Sequence, residues 1–184
     1  GGTSEINAMM YVCGTDKDYN DWADSTGDLS WNYENMLQYI IKHQNMKDST
    51  LTSGNCASYH GTQGRVRVNN IGYDHDPIIY YLRKAAAELN YNELIDINCG
   101  PQVGWNGFVN IRMTISNGQR ESSARAFLTP LKGLSNFYFM SNSFVDKVLV
   151  TKDASGNVLV SGVKVVTKIS KCSNIQLTAT REVI

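Results

Sequence analysis

The chain has 184 residues, 17 basic and 17 acidic side chains, and a formal net charge of zero. That length can bury a sizeable core. The balanced charge gives no electrostatic footprint for nucleic acid or an anionic membrane, and no apolar run approaches the length needed to span a bilayer. Charged residues are sparse at 18%, and ten tyrosines are many. Such a mix suits a chain with much of its surface covered by something else.

The chain opens Gly1-Gly2-Thr3-Ser4-Glu5-Ile6-Asn7. Paired glycines let backbone approach a ligand closely. The hydroxyls of Thr3 and Ser4 and the Asn7 amide offer hydrogen bonds to a polar cofactor. The same residues also read as a glycine-rich turn packing on a core, or as a remnant of cloning.

Thr15-x-x-Asp18 predicts a capping box opening a short helix through Trp22 to Ala23, ended by Gly27. A second helix is expected from near Asn32, with Tyr33, Met36, Leu37, Ile40 and Ile41 on one face. Residues 44–64 read as a long polar loop, of a length usually kept for covering a site or packing on a neighbour. Arg65–Val68 alternates as a strand. Asp76-Pro77 is a strong helix start, with Ile78, Tyr81, Leu82, Ala85 and Leu89 as the expected apolar face.

Phe108–Ile115 alternates again, and Asn117-Gly118 signals a turn. Ser122–Leu128 reads as a short helix stopped by Pro130. From Asn136 the pattern becomes β-rich. Strands are expected over Phe137–Thr151, Val158–Thr167 and Ile175–Ala179, with turns at Asp153–Asn157 and Ser170–Asn174. Arg181–Ile184 begins another apolar strand. Both ends are abrupt, which points to an internal piece of a longer polypeptide.

Cys13, Cys56, Cys99 and Cys172 are scattered with no C-x-x-C pair, so a zinc site is not expected; free thiols and one or two disulfides both remain open. His43, His60 and His75 show no metal-ligand spacing. His43 and His75 fall near polar helix ends, where exposure is expected. The serines near Arg120 lack the G-x-S-x-G context of a nucleophile. Asp16/Asp18 and Asp74/Asp76 flank helix starts, where acids favour the dipole.

Longer patterns carry a resemblance. The run Gly1-Gly2-Thr3-Ser4-x-Ile6-Asn7-x-x-x-Tyr11-x-x-Gly14, followed by Asn20, resembles the first signature of the glucose–methanol–choline (GMC) FAD oxidoreductases. Asp18-Tyr19 with Trp22, Trp31-x-Tyr33, Tyr59-His60-Gly61, Gly118-x-Arg120-x-Ser122, Ala126-Phe127-Leu128-x-Pro130 and Arg181–Ile184 extend it along the chain. The glucose dehydrogenase-like animal members look most similar. The resemblance implies an α/β fold (α+β in this piece), with a dinucleotide-type FAD domain beside an antiparallel-sheet substrate domain, each present in part. Residues 1–58 would cover the flavin, 59–116 would belong to the substrate domain, and 117–184 would return to the FAD domain.

The same resemblance implies oxidation of a CH–OH donor, a sugar or other alcohol, with hydride passing to flavin N5 and an electron acceptor completing the cycle. Thr3, Asn7, Ala8, Met9, Met10 and Val145 are the implied FAD contacts, Val145 through its backbone to the adenine. Ala8 departs from a common Gly, and Cys13 replaces a common Arg. The G-x-G-x-x-G unit is absent from these residues, and the catalytic His is expected beyond Ile184. His60 reads as a structural hydrogen-bonder, and the Arg120 region as positioning and packing. Secretion is implied by resemblance alone. The piece by itself is expected to be inactive and poorly soluble. The alternative is a family-derived binding or interaction protein without catalysis.

Overall fold

The computed structural model describes residues 2–72, 76–100, 106–167 and 173–184. Mixed helices and sheets form two compact units, Gly1–Lys132 and Gly133–Ile184.

In the first unit, local chemistry sets the helices. Helix α1 spans Asp16–Thr26. Thr15 accepts from the Asp18 amide while the Asp18 carboxylate accepts from Thr15, and Gly27 closes the helix in the left-handed conformation. Helix α2 spans Tyr33–His43, and the Asn32 side chain caps it through the Asn35 amide. Helix α3 spans Pro77–Glu88, with Asp76 as its cap and Pro77 in its first turn.

The predicted polar loop 44–64 is instead packed structure. Strand β1, Gln44–Met46, pairs in parallel with β2, Val66–Val68. Between them a 3-10 turn spans Gly54–Tyr59. Leu51 and Val68 are fully buried, and with Tyr11, Met46 and Cys56 they form the core of the unit. Burying each aliphatic side chain contributes roughly 1.5–3 kcal/mol. The composition of 44–64 conceals this because its polar groups find partners inside the fold. The Gln44 side chain accepts from the Gly61 amide at 2.8 Å, and the Gly64 amide donates to the Gln44 carbonyl at 2.9 Å. A Cβ on Gly61 would lie 1.9 Å from the Ile41 carbonyl oxygen, so the chain passes the end of α2 at a distance only glycine allows.

Cys56 and Cys99 form a disulfide that ties this turn to the segment around Asn98 and Cys99. Cys13 is a free, half-buried thiol; Cys172 lies outside the described residues.

The alternating stretch 108–115 is not one strand. Strand β3, Asn92–Glu93, pairs with β4, Gly107–Phe108. Strand β5, Ile115–Ser116, forms a tight hairpin with β6, Gln119–Arg120. Between them Met113 bridges singly to both Met10 and Asn69. The Arg112 side chain bonds the Asn110 and Ile95 carbonyls there. The apolar side chains of α3 are largely exposed, including Ile78, Tyr81, Leu82 and Leu89. Ala124–Leu128 is a π-turn rather than an α-helix, and Pro130 sits inside the following 3-10 turn, Thr129–Leu131, instead of stopping it. Proline is tolerated there because the first turn requires no amide from it.

The second unit is a three-stranded antiparallel sheet in the order β7-β8-β9: Ser143–Lys152, Val158–Thr167 and Ser173–Thr178. Strand β7 starts later than expected, at Ser143. The Asp153 carboxylate folds the hairpin turn by accepting from the Ser155 and Asn157 amides at 2.9 and 2.8 Å. Most of the predicted turn 170–174 lies outside the described residues. Arg181–Ile184 is an exposed tail without strand pairing, which corrects the expectation of a further strand. Phe144, Val148, Val150, Val158, Val160 and Leu177 remain exposed.

Candidate functional site

The N-terminal segment forms an exposed ledge in the first unit. Gly2 enters with φ of 67°, and Thr3–Glu5 makes one 3-10 turn. The Asn7 amide N–H closes it by donating to the Thr3 carbonyl at 2.9 Å. The Asn7 side chain then folds back, its Oδ1 accepting from the Met9 amide at 3.0 Å. Met9 takes a φ of 63°, a conformation seldom adopted by an L-residue with a side chain. Thr3, Asn7, Ala8 and Met10 are exposed, and Met9 is half-buried.

Residues more than 80 positions away hold this ledge from one side. Arg120 Nη1 donates to the Asn7 carbonyl at 2.8 Å, to Asn7 Oδ1 at 3.0 Å and to the Ser4 carbonyl at 3.3 Å. The Ser123 amide donates to Ser4 Oγ at 3.0 Å. The Thr114 amide donates to the Met9 carbonyl at 2.8 Å, and the Tyr11 amide to the Arg112 carbonyl at 2.9 Å. The Asn98 carboxamide then acts as a piece of strand: its Nδ2 donates to the Tyr11 carbonyl at 3.0 Å, and its Oδ1 accepts from the Cys13 amide at 2.8 Å. Sequence reading missed Thr114 and Asn98. Arg120 was legible only as part of Gly118-x-Arg120-x-Ser122.

The side chains beneath are neutralised. The Tyr11 hydroxyl lies 3.1 Å from His43 Nε2, and burial holds its phenol well above the usual tyrosine range, so Tyr11 donates. His43 Nδ1 then carries the proton toward the Tyr39 carbonyl at 3.2 Å. His43 is therefore half-buried and engaged, not an exposed helix-end residue. Burial likewise pushes the Cys13 thiol up to about 11.

His60 is buried. Gln44 Nε2 donates to its Nδ1 at 3.2 Å, which leaves the proton on Nε2, 3.4 Å from Asp96 Oδ2. Asp96 in turn accepts from the Asn98 amide at 2.8 Å. With its side chain out of contact with solvent, His60 cannot reach a substrate and acts as a structural hydrogen-bonder.

A cleft of about 440 Å³ is lined by Asp48, Asn70, Arg83, Glu93, Asn110 and Arg112. Its charges face one another: Arg112 Nη2 is 2.9 Å from Asp48, and Arg83 is 3.0 Å from Glu93. Glu121, buried, stands 3.4 Å from Arg125 and 3.6 Å from Arg67. No group of three or more His, Cys, Asp or Glu side chains suited to a metal ion occurs among the described residues.

Val145 lies on β7 of the second unit, opposite Val165 of β8. The pairing shifts between Val145 and Lys147, and β7 is one of the two edge strands of its three-stranded sheet. Backbone groups on such an edge are open to a ligand. The ledge by itself offers polar backbone and an amide to a flat, polar partner. Arg120 Nη1 is engaged by the Ser4 and Asn7 oxygens of the ledge.

A family model described as GMC oxidoreductase matches residues 1–184. Glucose dehydrogenase (FAD, quinone) of Drosophila pseudoobscura pseudoobscura is 37% identical over 161 residues, covering 85% of this chain and 24% of that protein. Ecdysone oxidase of Spodoptera littoralis is 32% identical over 150 residues, covering 81% and 24% respectively. Among solved structures, pyridoxine 4-oxidase from Mesorbium loti matches 97% of this chain and 32% of its own, with a TM-score of 0.78 at 22% identity, a likeness of fold. The chain spans about a quarter of the length of these curated relatives. Continuous similarity from end to end, over a fold shared with solved oxidases, makes this chain a member of the GMC oxidoreductase family.

Proposed function

We propose that this chain is part of an FAD-dependent oxidoreductase acting on the CH–OH group of a small molecule, a sugar or another alcohol. The observation that carries the reading is the exposed ledge 2–10, held by Arg120, Ser123 and Thr114 while its other side stays open. In this reading Thr3, Asn7, Ala8, Met9 and Met10 face the flavin, and the Val145 backbone meets the adenine. FAD, when bound, supplies the hydride acceptor. The residues of this chain orient it and exclude water. In this reading the base and the diphosphate anchor belong to parts of the enzyme other than these residues. Residues 1–58 and 117–184 then belong to the FAD side and 59–116 to the substrate domain.

The Cys56–Cys99 disulfide supports an oxidising compartment, in keeping with secretion. The exposed apolar residues of β7–β9 support the expectation that these 184 residues alone are inactive and aggregate.

The test is purification of the full-length protein, measurement of bound flavin by its visible absorption, and anaerobic addition of a panel of sugars and alcohols. Bleaching of the flavin by one of them is the expected result. A full-length protein that retains no flavin overturns the reading and leaves an interaction protein on the same scaffold. One that retains flavin without bleaching leaves a binding protein.

A further inference from the structure

We infer that Arg120 is a positioning residue that turns the Asn7 carboxamide into an outward-facing hydrogen-bond donor for the flavin ring. This rests on the FAD reading above. Two donors converge on Asn7 Oδ1: the Met9 amide at 3.0 Å and Arg120 Nη1 at 3.0 Å. An amide nitrogen in that place would face two donors with none of its own bonds made, so the oxygen must occupy it. Nδ2 then points the other way, on a residue that is exposed.

Arg120 also secures the backbone on both sides of the turn, through the Ser4 and Asn7 carbonyls. It reaches across 113 residues to do so. The left-handed Met9 conformation costs backbone energy that these bonds must offset. Without the guanidinium, Asn7 Oδ1 keeps one partner, and its amide is free to rotate and present either edge. The flavin pyrimidine ring carries carbonyl acceptors, so a fixed donor edge stabilises it, and more so as negative charge develops on reduction. Arg120 therefore touches neither substrate nor flavin in this scheme, and acts through Asn7.

All three contacts come from one nitrogen, Nη1. A lysine ammonium carries three hydrogens and can replace it in kind. That separates positioning from a bidentate guanidinium role, which lysine cannot fill.

The experiment uses the full-length protein with Arg120→Met, Arg120→Lys and Asn7→Asp. FAD affinity, the flavin visible spectrum, its midpoint potential and the melting temperature of the flavin-free protein are measured for each. Arg120→Met is expected to weaken FAD binding about fivefold to tenfold, the loss typical of one neutral hydrogen bond, and to lower the potential. Arg120→Lys is expected to restore most of both. Asn7→Asp keeps the two bonds to Oδ1 but has no donor edge, so it should keep the parental flavin-free melting temperature while losing FAD affinity and lowering the potential. Parental affinity and spectrum in Arg120→Met, or in Asn7→Asp, overturn the inference. So does an Arg120→Met defect that only follows a lowered flavin-free melting temperature and is not rescued by lysine. A wild-type protein without flavin is a different result: it overturns the parent reading and removes this inference with it.

Discussion

Replacing Arg112 with methionine keeps the aliphatic stem and deletes a buried guanidinium. Arg112 and Asp48 are each under a tenth exposed, and four contacts disappear together. Nε and Nη2 lie 3.0 and 2.9 Å from Asp48 Oδ2, and Nη1 donates to the Ile95 and Asn110 carbonyls at 2.9 and 2.8 Å. Asp48 retains the Thr50 amide and hydroxyl at 3.0 and 2.6 Å, so it is not stripped bare. Breaking a buried pair from one side typically costs about 3–5 kcal/mol, and the residual Thr50 bonds point to the lower end, about 3 kcal/mol. Adding Asp48→Asn should recover about 1 kcal/mol, because the remaining buried charge is then gone.

The pH dependence of the pair has a definite sign. Burial pushes the Asp48 carboxyl up, but the Thr50 bonds and the Arg112 charge outweigh it and hold it below the usual carboxylate range. A carboxyl depressed in the folded state contributes fully above its unfolded value of about 3.9, and that contribution is lost as pH falls through the lower folded value. The gap between parent and Arg112→Met should be flat at neutral pH and close only below about pH 4. The assay is urea unfolding of the full-length protein followed by limited proteolysis within 44–64, since a multidomain chain does not melt in one step. An Arg112→Met protein within about 0.5 kcal/mol of parent at pH 7 would refute a stabilising buried pair by the measure of its predicted loss. So would a gap that persists unchanged to pH 3.

Two further outcomes test other parts. With its thiol near 11, Cys13 in the folded protein should alkylate very slowly at pH 7 and faster by about tenfold per pH unit up to pH 10; peptide mapping without reductant should recover Cys56 linked to Cys99, and a rapid neutral-pH reaction at Cys13 would contradict the burial. At Val145, a residue 54% exposed, Val145→Ala should leave FAD retention within about twofold, whereas Val145→Pro should abolish it, because the proposed contact is backbone alone. Equal losses in both variants would move the contact to the side chain.

Much of the local structure was legible because it is local. The Thr15/Asp18 box, the Asn32 and Asp76 caps and the Asp153 turn each close within four residues, so residue type and spacing suffice. The candidate ledge was legible through its resemblance to a family signature, while its support was not. Arg120 reaches Asn7 across 113 residues, Asn98 reaches Tyr11 across 87, and Cys56 meets Cys99 across 43. No spacing rule foretells such pairs, because chain closure and competition among many possible donors select them. Where alternation suggested one strand over 108–115, Met113 instead makes single bridges to Met10 and Asn69, partners far apart in the chain.

By itself the sequence determined the family, the starts of the three α-helices, the Gly27 stop, the β-rich character after residue 136 and the positions to inspect for a cofactor. Only the tertiary structure decided that the polar stretch 44–64 is packed around Leu51, that His60 is buried beside Asp96, that Cys13 is the unpaired thiol of the three described, and that Asn7 is held from one side by Arg120. The physical reason is the same in each case. A polar group reads as solvent-exposed until a partner from a distant part of the chain satisfies it, and burial without such a partner is costly.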